Sequence, residues 1–267
     1  MAIVDAQIHV WGGLLPGAKS SEASAFTYRE LLPMMDTVKV DRAVLVPPSW
    51  AADGNGAAIG AAEAFPDRFV VMGRIAIEKP ESRGTIAQFM GQPGMVGVRL
   101  ALRREPHATY LADGTVDWFW PEAAEAGLQV MVYAPGKLPQ IRDIARRHPA
   151  LRIIIDHMGV NPGAADAERR AQFADTISIA AEPNVAVKLS ALPLYSNQPF
   201  PHRDTLELVY RLEEAFGATR CFWGSDMTRL DSYSNAVRML SEEADKLGSE
   251  QKALIMGDAL LAWLGWT

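Results

Sequence analysis

Cysteine is nearly absent from this chain: of 267 residues only Cys221 carries a thiol. An internal disulfide and a cysteine-rich metal site are therefore excluded. Cys221 lies in the run Arg-Cys-Phe-Trp and is expected to be a buried small hydrophobe. No stretch approaches the roughly 18 apolar residues of a membrane span. Positive charge is in deficit, with 26 Lys and Arg against 32 Asp and Glu, a net charge of −6. That balance speaks against nucleic acid or an anionic membrane as the main partner. Phosphate-binding turns are missing too: the first candidate strand is followed by His9-Val10-Trp11-Gly12-Gly13, which is not GxGxxG, and no Walker lysine motif occurs. No Pro/Gly/Ser-rich linker divides the chain, so one domain over residues 1–267 is expected. Met1-Ala2 leads into a β-type alternation without a charged-then-apolar leader, which sets a cytoplasmic expectation. The sequence leaves open whether the chain is a monomer or a homo-oligomer.

What the chain does have is rhythm. Short β-branched or apolar runs at 2–9, 42–47, 69–75, 95–100, 128–134, 152–157, 184–190 and 220–226 alternate with amphipathic segments. The latter lie at about 27–38, 54–65, 80–90, 117–126, 137–147, 166–181, 203–216 and 232–247. Several strand candidates are continuously apolar, as expected for strands covered on both faces. Eight βα units predict an α/β fold, a (β/α)8 TIM barrel; Ser249 to Leu264 is an added C-terminal helix, expected on the barrel's outside.

In such a barrel the chemistry gathers at the carboxyl ends of the strands. Strand 1 supplies Gln7 and His9, spaced with Asp5, nearer the barrel floor, to share one strand face. Strand 2 ends before Ser49-Trp50, strand 3 gives Arg74, and strand 4 gives Arg99 followed by Arg103 and Arg104. Strand 5 gives Tyr133, strand 6 Asp156-His157, strand 7 Lys188 and Ser190, and strand 8 Ser225-Asp226. Taken singly, each has a structural explanation: Asp5 a backbone partner, Lys188 an interior ion pair, Arg103 and Arg104 a solvated loop. His107, His148 and His202 fall in loop or helix contexts and are read as surface residues. His9, His157 and Asp226 differ because the barrel brings their three strand ends together, and two imidazoles beside a carboxylate suit acid/base or metal chemistry.

At these positions the chain resembles the amidohydrolase superfamily, in its amidohydrolase-related branch. Asp5-Ala-Gln-Ile-His9-Val-Trp11 resembles that branch's opening D-x-H-x-H-x-W/F, and Asp156-His157-Met-Gly159 its D-H-x-G. Lys188-Leu-Ser190, Trp223-Gly-Ser-Asp226 and Ile255-Met-Gly-Asp258-Ala259 resemble its strand-7, strand-8 and closing-helix signatures. Two departures matter: Gln7 replaces the first metal-binding His, and Tyr133 stands where a strand-5 ligand is common. The pattern that remains is similar to the metal-independent lactonases of the branch, of the 2-pyrone-4,6-dicarboxylate lactonase type.

That resemblance implies a hydrolase opening a lactone on a small carboxylate-bearing molecule, without a cofactor. Asp226 would activate water, with His9, His157 and Tyr133 as donors to the carbonyl oxygen. Arg99 and Arg103, with Gln7, Arg74, Ser49 and Trp50, would bind the substrate. After strand 7 the chain reads Ala191-Leu-Pro-Leu-Tyr195, where such lactonases carry a further arginine. Two alternatives stay open. One is a metal-dependent hydrolase or decarboxylase with weakly held zinc on His9, His157 and Asp226; the other is a non-catalytic barrel that binds a small anion.

Overall fold

The computed structural model describes residues 2–13, 25–104 and 107–267. Among them are eight strands: β1 (Val4–Ile8), β2 (Arg42–Leu45), β3 (Phe69–Gly73), β4 (Met95–Ala101), β5 (Gln129–Tyr133), β6 (Ile153–Ile155), β7 (Val185–Ser190) and β8 (Cys221–Gly224). They pair in sequence order, all parallel. Helices α1 (Tyr28–Val38), α2 (Gly56–Ala64), α3 (Ile86–Met90), α4 (Phe119–Glu125), α5 (Leu138–Arg147), α6 (Asp166–Ile179), α7 (Arg203–Phe216) and α8 (Tyr233–Ser241) follow the strands. The fold is a single-domain (β/α)8 barrel.

The β1–β8 seam is narrow because Gly224 has no side chain. A Cβ there would lie 3.0 Å from both the Cβ and the amide nitrogen of Gln7. The Asp226 amide then donates to the Gln7 carbonyl at 2.8 Å, and the Ser225 amide to Asp5 Oδ1 at 2.8 Å.

The register of β1 slips between Asp5 and Ile8. One residue out of step exchanges the faces of a strand. Gln7 and His9 consequently point into the barrel mouth, whereas Asp5 turns outward, where the Tyr233 hydroxyl of α8 donates to its Oδ2 at 3.0 Å. The expectation of one shared face for Asp5, Gln7 and His9 fails at that bulge; the expectation of backbone partners for Asp5 holds.

The C-terminal segment also sits elsewhere than expected. Helix α9 (Ser249–Ala253) continues through a π turn (Leu254–Asp258) into α10 (Ala259–Leu264). Ala259 and Leu260 pack with Val4, Val44, Met131, Ile154 and Phe222, the residues that fill the barrel. Arg152 at 2.5 Å and Gln129 at 3.2 Å donate to the Trp263 carbonyl from the starts of their strands. The segment therefore plugs the floor of the barrel rather than lying along its outside. No helix is long and apolar enough to cross a membrane among the described residues.

Candidate active site

Strands β6, β7 and β8 all leave the sheet through residues in the left-handed region. His157 (φ 53°) and Met158 (φ 57°) follow β6, Ala191 (φ 55°) follows β7, and Asp226 (φ 56°) follows β8. None is glycine, and each such conformation costs of order 1 kcal/mol, tolerated where surrounding contacts over-determine it. After β6 those contacts come from Tyr195, whose hydroxyl donates to the carbonyls of Val160 (2.9 Å) and His157 (3.2 Å), and from Thr176, which donates to Met158 O at 2.8 Å. The turns aim His157 and Asp226 at the barrel axis.

His9 Nδ1 donates to the Val46 carbonyl at 2.6 Å, and its Nε2 lies 3.1 Å from Asp226 Oδ1. Asp226 Oδ2 is 3.3 Å from Arg229 Nη1, a single long contact from a half-exposed guanidinium. Burial would raise the Asp226 carboxyl, but the His9 hydrogen bond and the charges of His9, His157 and Arg229 outweigh it and hold it below the usual carboxylate range. Asp226 is thus an anion, buried under His9 and Arg229.

His157 is buried, with Nδ1 at 2.8 Å from Ser190 Oγ and its ring edge-on to Tyr133, centroids 5.2 Å apart. Burial pushes its imidazole down to about 4 against the opposing pull of Asp226 and Asp156, so it is neutral at pH 7. The Tyr133 ring lies under the guanidinium groups of Arg99 (5.6 Å) and Arg103 (5.7 Å). Burial raises the Tyr133 hydroxyl above its ordinary value despite those arginines, which keeps it a donor.

Behind this front lies a buried ion network that joins strands 4, 6, 7 and 1. Asp156 accepts from Arg99 Nε at 2.8 Å and pairs with Lys188 Nζ at 2.7 Å. Lys188 also donates to the Gln7 side-chain oxygen and, at 3.3 Å, to the Ala6 carbonyl. Its oxygen taken, Gln7 turns its amide nitrogen toward His9 Nε2, 3.4 Å away. Burial raises the Asp156 carboxyl less than Lys188, Arg99 and His157 depress it, so it stays ionised. Lys188 is the interior ion pair that the sequence offered as its structural explanation.

Arg74 donates to the Pro48 carbonyl at 3.0 Å, and its backbone is clamped by the side chain of Asn55, which accepts from Arg74 N (2.8 Å) and donates to Arg74 O (3.0 Å). Burial, and then repulsion from Arg99, lowers its guanidinium from the ordinary value. Trp50 packs edge-on against Trp11 at 4.8 Å, while Ser49 is exposed on the turn before it. His107 is exposed; His148 and His202 are half-buried, the latter donating to Gln198 O at 2.8 Å. Cys221 is free and buried, its thiol pushed up by burial. The sequence reading missed two contacts, Ser190 on His157 and Asn55 on Arg74. Ser190 was visible as the last residue of Lys-Leu-Ser, whereas nothing local marks Asn55.

Zinc is the metal that this type of site would carry. Its ligands would be His9, His157 and Asp226, yet His9 has one ring nitrogen on a carbonyl and the other directly on Asp226, and His157 Nδ1 is on Ser190. Gln7 aims an amide NH2, a donor, at the same place. Among the described residues no group of three or more His, Cys, Asp or Glu side chains is disposed to hold an ion. These contacts engage both ring nitrogens of His9 and one of His157.

A parallel barrel with histidines, an aspartate and a tyrosine at the carboxyl ends of its strands, and arginines around them, is the build of a barrel hydrolase. The amidohydrolase family model matches residues 4–260, and the chain belongs to that family. L-fucono-1,5-lactonase of Burkholderia ambifaria is 28% identical over 241 residues, 84% of this chain and 79% of that protein. Among solved structures, an amidohydrolase from Burkholderia multivorans with bound zinc superposes with a TM-score of 0.85 at 19% identity, covering 99% of each chain. A probable 2-pyrone-4,6-dicarboxylic acid hydrolase from Acinetobacter baumannii, with citric acid bound, superposes with a TM-score of 0.79 at 19% identity over 100% of each chain.

Proposed function

We propose that the protein hydrolyses the lactone ring of a small carboxylate-bearing molecule, with Asp226 as the base toward water and no metal required. The observation that carries this reading is Asp226 itself: an ionised, buried carboxylate whose two oxygens face His9 Nε2 and Arg229. The lactonase relative supports the class of bond, and the donor set of the mouth supports the chemistry.

Binding comes first. Arg74, Arg99, Arg103 and Arg229, with Lys188 behind them, outnumber the carboxylates Asp156, Asp226 and Glu78. An anionic substrate is therefore favoured in a chain whose overall charge is −6. Arg99 spends Nε on Asp156 and keeps its terminal nitrogens for a planar carboxylate. A substrate carboxylate also competes for Arg229. Drawing Arg229 away uncovers Asp226 Oδ2 and removes a charge that depresses its basicity, so binding prepares the base.

Attack follows. Asp226 takes a proton as water adds to the lactone carbonyl, and negative charge grows on the carbonyl oxygen. The Tyr133 hydroxyl and the Nε2–H of neutral His157 donate to that oxygen; one such donor is worth roughly 3 kcal/mol. Collapse breaks the ring C–O bond, and the proton held by Asp226 passes to the alkoxide, giving a hydroxy acid.

The reading is tested with two lactones of one ring, D-glucono-1,4-lactone and D-glucaro-1,4-lactone, which differ in the distal carboxylate, alongside sugar 1,5-lactones and 2-pyrone-4,6-dicarboxylate. Acid release is expected to be unaffected by chelation, and Arg99→Ala is expected to raise KM for acidic lactones about tenfold more than for neutral ones. Zinc at one equivalent that leaves together with the activity, or no hydrolysis of any lactone, would overturn it.

A further inference from the structure

Ser190 has no part in the steps above, yet it is fully buried and hydrogen-bonded to a residue that has one. Its position is fixed by the sheet: at the carboxyl end of β7 it pairs in register with Gly224 of β8, and the absent side chain of Gly224 leaves room for it. Among the described residues its Oγ has one hydrogen-bond partner, His157 Nδ1, at 2.8 Å.

That contact has two possible polarities. If the ring donated from Nδ1, the Ser190 hydroxyl hydrogen would be left in the interior without an acceptor, at a cost of about 1–3 kcal/mol. The other ring nitrogen would present a lone pair to a mouth that contains the Asp226 carboxylate, whose charge acts on His157. If the hydroxyl donates to Nδ1, both groups are satisfied and the ring proton sits on Nε2. Which nitrogen of a histidine carries the proton is set by the partner of the other. The ring stands perpendicular to Tyr133, centroids 5.2 Å apart, on a residue held in the left-handed turn.

We propose that Ser190 is a positioning residue that locks His157 in the Nε2–H tautomer, so that a neutral imidazole presents a donor to the reacting carbonyl oxygen. The lock rests on the lactonase reading only for its purpose; the tautomer is a property of the free protein. Ser190 thereby supplies from β7 what an aspartate or backbone carbonyl supplies elsewhere, with opposite polarity: it accepts no proton from the ring and gives it none, but fills the nitrogen that must stay bare.

Two-bond 1H–15N correlation of the histidine rings in the full-length labelled chain at pH 7.5 tests this, with His157→Gln assigning the signal. The wild-type ring should show the Nε2–H pattern. Ser190→Ala should give an averaged pattern of both tautomers and a kcat lower by about tenfold at near-constant KM, and Ser190→Thr, which keeps the hydroxyl, should restore both. An Nδ1–H pattern in the wild type, or an unchanged ring pattern in Ser190→Ala, would overturn the proposal. An averaged pattern in Ser190→Ala without any lactone turnover in the wild type would leave the lock standing and remove the lactonase reading instead.

Discussion

Asp5 and His157 titrate in overlapping windows with opposite sign. Burial raises the Asp5 carboxyl to about 6, against hydrogen bonds from Ser225, Gln7 and Tyr233. Between the unfolded value near 4 and that value the native state holds the extra proton, so stability falls as pH rises, by about 3 kcal/mol. His157, pushed down to about 4, is protonated in the unfolded chain but not in the native one up to its ordinary value of 6.5, so its contribution grows with pH by a similar amount. The two nearly cancel from pH 4 to 6. Asp5→Asn removes one side while keeping the contacts: its oxygen still accepts from the Gln7 and Ser225 amides, and its NH2 faces the Tyr233 oxygen. The urea midpoint of Asp5→Asn should therefore climb between pH 4.5 and 6.5 where the wild type is flat. Parallel profiles would refute the opposing pair. Below pH 4 both proteins should weaken, because Asp156 and Asp226, held below the carboxylate range, must then take up protons.

At the scale of elements, all eight strands were legible, because most are short, almost continuously apolar runs and β1 shows a plain alternation, neither of which needs a neighbour to be recognised. What the residues of a strand face was less so. The β1 bulge leaves no trace in a sequence of alternating residues, and the left-handed exits at His157, Ala191 and Asp226 carry no glycine or asparagine to betray them. For the same reason β6 ends at Ile155 and β8 at Gly224, two residues short of the predicted 157 and 226. The segment predicted as one helix at 80–90 is a 3-10 turn (Pro80–Ser82) and a separate α3, broken at Gly84 with φ +72°. Helix α8 stops at Ser241 rather than 247, where Lys252 donates to the Ser241 carbonyl at 3.2 Å. The C-terminal helix reads as amphipathic in any position, so only the packing shows that it seals the floor. Gly257 makes that seal possible: a Cβ there would meet the Ala2 carbonyl oxygen at 2.3 Å. Gly257→Ala should cost about 2 kcal/mol of stability, lowering the melting temperature by several degrees, and leave kcat intact because the active mouth is at the opposite end. An unchanged melting temperature would show that the floor yields.

On the scale of the whole molecule, the candidate site joins residues from seven strands or the turns after them, from Gln7 on β1 to Arg229 beyond β8. Its polar candidates were sought in the sequence at and just beyond the strands' carboxyl ends, which is where a barrel gathers its chemistry. Their division of labour could not, since it depends on which atoms meet. Lys188 and Asp156 proved to be a buried ion pair that fixes Gln7, and Arg229 proved to cover the carboxylate it follows in the chain. The shape of the barrel turns those contacts into one continuous arrangement, from Arg99 through Asp156, Lys188, Gln7 and His9 to Asp226. That last carboxylate is where the proposed chemistry takes place. The direct test is kcat of Asp226→Asn on whichever lactone the wild type hydrolyses fastest, with substrate binding measured separately. Asparagine keeps size and polarity but accepts no proton, so kcat should fall at least roughly 100-fold while binding persists; near-normal turnover by Asp226→Asn would contradict the account.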